Sequence, residues 1–179
     1  MSKNHFDQVD QAEFRQALGH FASGVTVITT QHENQPHGTT VSAFSSLSLN
    51  PPLVLVSIDT NATIHDLLIA SEVFAVNILA EHAETLSRHF ARRIPDKFSG
   101  ISYTLGKLNV PLLEDAVASL ECRLVARYPG GDHSIFVGEV LATRTYPQHQ
   151  PLLYFRSQYE RLHSKTVNLT TDTLSTTRT

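Results

Sequence analysis

Cysteine, long apolar runs and surplus positive charge are all scarce in this chain, and each scarcity removes a class of protein. Cys122 is the only cysteine, so no internal disulfide can form and the fold must stand without one, as expected of a cytosolic protein. No apolar run approaches the roughly 20 residues that cross a bilayer as a helix. The opening "MSKNHFDQVDQAEF" is too polar for a signal peptide, so the expectation is a cytoplasmic protein with no membrane partner. Fourteen Lys and Arg stand against 17 Asp and Glu, a formal charge of -3, whereas binding through nucleic-acid phosphates needs a basic face. The densest basic cluster, Arg88, Arg92 and Arg93, is too small to supply one. Tryptophan is absent and methionine occurs once, which constrains little.

Common catalytic signatures are missing as well. There is no G-x-G-x-x-G, no G-x-S-x-G, no H-E-x-x-H and no paired cysteines. "GISYTLGKL" approaches a phosphate-binding loop, but five residues rather than four separate Gly100 and Gly106, and Leu108 replaces the hydroxyl that would hold magnesium. Ten histidines are scattered without the helical spacing of a zinc site, so no metal is expected.

What is present suits one domain, since 179 residues can bury a substantial core and hydrophobic residues make up 41% of them. Residues 10–21 repeat apolar groups at Phe14, Ala17, Leu18 and Phe21, the spacing of one helical face, with Asp10 and Glu13 resembling a capping box. After Gly24 the texture turns to short β-branched runs, "VTVITT", "TTVSAF", "LVLVSI" and "VFAVNIL", separated by "ENQPHG", "LNPP" and a brief helix. Pro51 and Pro52 end pairing before a strand at Leu53–Ile58. Residues 63–70 and 82–92 read as short helices, the first capped by Thr63. In "SLECRLVARY", Leu120, Cys122, Leu124 and Ala126 alternate with Glu121, Arg123 and Arg127, the pattern of a half-buried antiparallel strand with the charged residues outside. The segment 93–115 is long for a loop, which points to function or a contact. Many short strands without regular helical alternation favour a closed or nearly closed β-barrel over a doubly wound parallel sheet. One domain over 1–164 is expected, followed by a Thr-rich tail, 165–179, that is frayed or lies on a partner.

Taken singly, the polar candidates each carry two readings. Thr39, Thr40, Ser42, Ser45, Ser46 and Ser48 form either an edge strand with satisfied hydroxyls or a wall of small donors along a flat heterocycle. Thr63 either caps its helix or offers free amides to an anion. Arg88, Arg92, Arg93 and Lys97 either meet a phosphate or form a solvated face. In "ARYPGGDHSIFVGEV" the glycines suit a hairpin turn, but a hairpin has no need of His133.

The ordered set "FASGVTVITT", "HGTTVSAFSSLSLNPPLVLVSID", "FAVNIL", "DKF", "GGDHSIFVGEV" and "PLLYFRSQY" resembles the short-chain flavin reductase family, the reductase components of two-component flavin-dependent monooxygenases. The match is collinear from about Phe14 to Tyr159. The resemblance implies a mainly β, antiparallel Greek-key barrel of the FMN-binding split type with a few short flanking helices. It implies a homodimer that reduces free FMN or FAD with NADH or NADPH and passes reduced flavin by diffusion to a partner monooxygenase. Carried onto matching positions, flavin contacts fall on Thr39, Thr40, Val41, Ser42, Ala43, Ser45 and Ser46, with Ser57, Ile58 and Asp59 flanking the ribityl chain and Thr63 near phosphate. Asn77, Lys97, Phe98, Asp132 and Tyr154 are further cofactor contacts, and His133 lies against the nicotinamide as the catalytic-site residue. Relatives often have Ser near Asn61 and Gly at Ser157.

Such chemistry needs no nucleophile and no metal. The two cofactors carry the hydride, and the protein stacks them, excludes water and steadies the charge on the reduced ring. The alternatives are a flavin-binding or electron-carrier protein on the same barrel without NAD(P)H turnover, an oxidase of a pyridoxamine-phosphate-like substrate, or an interaction domain.

Overall fold

In the computed structural model, which describes residues 9–162, Asp10 sets the first helix. Its carboxylate accepts the amides of Ala12 at 2.8 Å and Glu13 at 3.1 Å, starting α1 (Gln11–Leu18). The helical spacing is as the sequence predicts, but the stripe is not core. No residue of α1 is buried, and Phe14, Leu18 and Phe21 are 55%, 56% and 78% exposed.

The chain then becomes strand. β1 (Ser23–Gly24) precedes β2 (Thr26–His32), which turns into β3 (Gln35–Val41) through Glu33 and Asn34 alone, both left-handed at φ 49° and 60°. That is the two-residue turn whose twist matches paired strands. "ENQPHG" is therefore mostly strand, and Pro36 is tolerated because β3 lies at the edge of its sheet. "TTVSAF" is interrupted: β3 stops at Val41, and β4 (Phe44–Leu49) starts only after Ser42 and Ala43. β5 (Pro52–Asp59), α2 (Ile64–Ser71), β6 (Val73–Leu79) and α3 (Glu84–Ala91) follow. The long segment at 93–115 is partly ordered as a hairpin of β7 (Tyr103–Leu105) and β8 (Pro111–Leu113). Two long strands, β9 (Ala116–Gly130) and β10 (His133–Thr145), and a small hairpin, β11 (Leu153–Phe155) with β12 (Gln158–Glu160), complete the described residues.

Seven strands form the main sheet in the order β3-β2-β6-β9-β10-β5-β4, every pair antiparallel. The two edge strands, β3 and β4, are consecutive in the chain and joined only by Ser42 and Ala43, so the sheet curls back on itself. The Ser57 amide donates to the Ala43 carbonyl at 3.0 Å across this seam. The result is a split β-barrel with three short helices, as the sequence led us to expect.

Ile28, Val56, Ile58, Phe74, Val76 and Phe136 fill one core, closed by Ile64 and Leu68 of α2. Val25, Val27, Leu79, Phe90, Phe98 and Leu113 form a second, under α3 and the loop after it. β2 serves both and is buried from Thr26 to Thr30. Burying each such aliphatic or aromatic side chain contributes roughly 1.5–3 kcal/mol. Alternation on β9 misplaces one residue: Glu121 is 5% exposed, not on a solvent face, because the loop before β8 folds over it. Its carboxylate accepts the Leu108 amide at 2.7 Å. No helix among the described residues is long and apolar enough to cross a membrane. The tail 165–179 lies outside the described residues.

Candidate functional site

A groove of about 200 Å³ opens along the seam, lined by Thr39, Thr40, Val41, Ser42, Ala43, Ser57, Ile58, Asp59, Ala62 and His133. Three separate stretches meet there for reasons of pairing. Thr39, Thr40 and Val41 are the end of edge strand β3, while Ser42 and Ala43 belong to no strand. Ser57, Ile58 and Asp59 are the end of β5. The register of β5 with β10 puts His133 directly opposite Asp59.

The turn before His133 is held tightly. Gly131 takes φ 72°, which a two-residue hairpin requires at its first position. The Asp132 carbonyl accepts both the amide and the hydroxyl of Thr60, at 3.0 and 3.1 Å, fastening the turn to the loop between β5 and α2. The Asp132 carboxylate reaches His133 Nδ1 at 2.7 Å, orienting a ring that remains 43% exposed. Nε2 of His133 has no hydrogen-bond partner among the described residues and is available to a ligand.

Asp59 gives the groove its fixed charge. The Asn61 backbone amide, donating at 2.8 Å, holds the Asp59 carboxyl below the ordinary carboxylate range, helped by the Asn61 side chain, His133 and Arg93. Arg93 stands 3.9 Å from it on the exposed side.

The opposite wall is braced by α3. The Thr40 hydroxyl donates to the Ser87 carbonyl at 2.7 Å, so its proton is committed inward rather than to the groove. The Lys97 ammonium donates to the carbonyls of Phe90 at 2.8 Å and Gly38 at 3.2 Å, and burial lowers its pKa. Gly38 must be glycine here, because a Cβ would sit 2.7 Å from the Phe90 ring.

Several residues implied by the resemblance do not line this groove. Asn77 is fully buried, donating to Val27 and Thr29 and accepting from Leu113 and Ser119 at 2.9–3.2 Å. Its side-chain amide is thus spent on joining β2, β8 and β9 around β6. Phe98 is 6% exposed in the second core, edge-on to Phe90 and Tyr103. Lys97 acts on the groove only through Gly38. Ser45 and Ser46 lie on β4, where the Ser45 hydroxyl donates to the Ser46 carbonyl. Thr63 makes no capping hydrogen bond, is exposed and does not line the groove. Tyr154 packs on Tyr159 in the small sheet, with ring centroids 5.2 Å apart. Asp132 contributes through its bond to His133. Arg88 pairs with Glu84 at 2.8 Å and lies over Tyr159.

Ala62 lines the groove and escaped the sequence reading, because a small apolar side chain in "TNAT" gives no chemical signal. A larger cleft of about 460 Å³ lies elsewhere, beside the end of α1, lined by Arg15, Gln16, Gly19, His20, Arg156 and Ser157. It contains none of the seam residues. Among the described residues no cluster of His, Cys, Asp and Glu is arranged to hold a metal. Cys122 is buried, and burial pushes its thiol up to about 12, so it is no nucleophile.

Known proteins resemble this chain in sequence and fold. The NADH-dependent FAD reductase of Streptomyces globisporus is 39% identical over 160 residues, covering 87% of either chain. The reductase component of 4-hydroxyphenylacetate 3-monooxygenase from Thermus thermophilus is 41% identical, over 83% of this chain and 95% of the relative. A solved NADH:FAD oxidoreductase from Streptomyces globisporus C-1027, in complex with NAD and FAD fragments, superposes with a TM-score of 0.84 at 37% identity, over 88% of this chain and 95% of that one. With residues 18–163 matching the model of the flavin reductase-like domain, the chain belongs to the flavin reductase-like family.

Proposed function

We propose that this protein is an NADH-dependent flavin reductase that takes FAD or FMN as an exchangeable substrate and releases reduced flavin to a partner monooxygenase. The observation that carries this reading is the shared groove: the seam residues 39–43, the end of β5 and His133 border one cavity. Ser42, Ala43, Ser57 and Ala62 are small, so a flat ring can lie against the backbone without displacing side chains. Amides outside a ladder, as at Ser42 and Ala43, are suitable donors to ring carbonyls and nitrogens. When both are bound, the nicotinamide supplies a hydride and the flavin accepts it.

The chain's own part is to hold and exclude. Thr39–Ala43 and Ser57–Asp59 grip the flavin. His133, oriented by Asp132, presents Nε2 to the nicotinamide carboxamide and positions that ring by packing and hydrogen bonding. Thr63 and Arg93 stand past the Asp59 end of the groove, where the phosphate side of the flavin leaves it. Reduced flavin must reach another protein, so binding is modest and the purified protein is nearly colourless.

The protein works as a homodimer, with a second copy covering the apolar stripe of α1. Phe14 and Leu18 of α1, with Phe21 just after it, are more than half exposed among the described residues, an apolar patch that a second copy can cover. We take residues 1–164 as one domain.

NADH oxidation followed in one cuvette, before and after adding FAD or FMN, tests the activity. Oxidation should be negligible alone and rapid with flavin. Flavin that binds without stimulating NADH oxidation would instead identify a carrier or storage protein.

A further inference from the structure

Behind the groove, Asp66, His65 and Ser134 form a hydrogen-bonded line between α2 and β10. His65 Nδ1 lies 2.7 Å from an Asp66 carboxylate oxygen, and Nε2 lies 3.0 Å from the Ser134 hydroxyl. The imidazole is 6% exposed and packs edge-on against Phe136, with ring centroids 5.4 Å apart. The connectivity is that of a hydrolytic triad, but Ser134 is 7% exposed and does not line the groove. A nucleophile needs an open face, and this serine has none.

What the line does is join two walls. His65 sits in the first turn of α2, and its own amide donates to the Ala62 carbonyl at 2.9 Å. Ser134 directly follows His133 on β10. Carboxylate oxygens only accept, so in the neutral ring Nδ1 carries the proton toward Asp66. Nε2 is then left to accept from the Ser134 hydroxyl. One buried side chain thereby connects the Ala62 wall of the groove to the residue beside His133. The Thr60 bonds to Asp132 fix the turn's backbone, and the ladders to β5 and β9 fix His133 and Ser134 within the sheet, so the His65 bond is what ties α2 and its Ala62 end to that frame.

We propose that His65 is a positioning residue for the dinucleotide site: by bridging α2 to Ser134 it sets how far His133 stands from the Ala62 wall. This rests on the reading that His133 meets the nicotinamide. His65 touches neither cofactor and acts only through the placement of its neighbour.

The test is a kinetic comparison of His65→Leu, His65→Gln, Ser134→Ala and His133→Ala, alone and combined, each with a melting temperature. Loss of one buried hydrogen bond should raise the KM for NADH by roughly five- to tenfold in His65→Leu, with kcat and the KM for flavin changed by less than about twofold. Ser134→Ala, which removes a single oxygen and preserves the core, should reproduce that effect and carries the test if the leucine variant folds poorly. His65→Gln, whose amide reaches the Nε2 position, should return the KM close to that of the unmodified protein. In a His133→Ala background, His65→Leu should add little. Full additivity there, or a loss that tracks melting temperature in every kinetic constant alike, would overturn the proposal. A His133→Ala protein with unchanged NADH kinetics would remove the reading of the groove itself, and this proposal with it.

Discussion

His133 and Asp59 are paired residues of the β5–β10 ladder, so an imidazole and a carboxylate occupy the same end of the seam groove without any bond between them. Asp132 holds the imidazole and Asn61 holds the carboxylate, each from the exposed side. The pair is thus preset before any ligand arrives, and each member can be removed without disturbing the other's anchor.

Replacing His133 by alanine separates binding from chemistry. On the proposed role, in which the ring positions the dinucleotide and carries no proton in the transfer, steady-state rates at varied NADH should show a KM raised about tenfold with kcat nearly retained. An equal fall in kcat and kcat/KM would assign it to the transition state instead.

Asp59 predicts a defined acid limb. Its carboxyl is held below its ordinary value of 3.8, chiefly by the Asn61 amide. A depressed acid contributes stability above that ordinary value and loses it as pH falls through the lower, folded one. Melting temperatures of the unmodified protein and Asp59→Asn should therefore differ by a constant amount near neutrality and converge only below pH 3.8. Convergence already near pH 6 would show that another group controls the limb.

Gly38→Ala should be costly although it adds one methyl group. The new Cβ would meet Phe90 ring atoms at 2.7 and 2.9 Å, pushing α3 off β3 and loosening the Lys97 bridge. Overpacking of this kind costs about 1–3 kcal/mol. Chemical denaturation measures it, and adding Phe90→Leu should recover part of the loss by making room for the new methyl group.

The exposed stripe of α1 predicts assembly. Phe14→Glu with Leu18→Glu should leave the barrel's circular dichroism unchanged and halve the mass seen by analytical ultracentrifugation. A monomeric unmodified protein, or a dimer indifferent to both changes, would place the contact elsewhere.

Much of the groove was legible in the sequence because its residues come from strand ends whose order and pairing the motifs preserve. Thr39–Ala43, Ser57–Asp59 and His133 needed only the right register to meet. Periodicity was less informative about what covers a surface. It identifies the apolar face of α1 but not that this face stays exposed among the described residues. Alternation placed Glu121 outside because it cannot foresee a distant loop folding over a strand's outer face. The resemblance implies contacts at Asn77 and Phe98, whose side chains are held by internal hydrogen bonds in the one case and by aromatic packing in the other. Polarity and aromaticity do not say which side of a barrel wall a side chain faces. His65 was passed over because a histidine on an apolar helix face carries no signal until its partner on β10 is known.

The seam has an evolutionary side. Ser42 and Ala43 complete the circuit of the sheet yet belong to no strand, and their carbonyls accept from the Phe44 and Ser57 amides. Mutations at this hinge can reshape the receptor for a new ring system while all seven ladder strands keep their neighbours. At Ser42 and Ala43 selection on ligand preference can act with little effect on strand pairing, whereas at Thr39–Val41 and Ser57–Asp59 the same residues serve both groove and ladder.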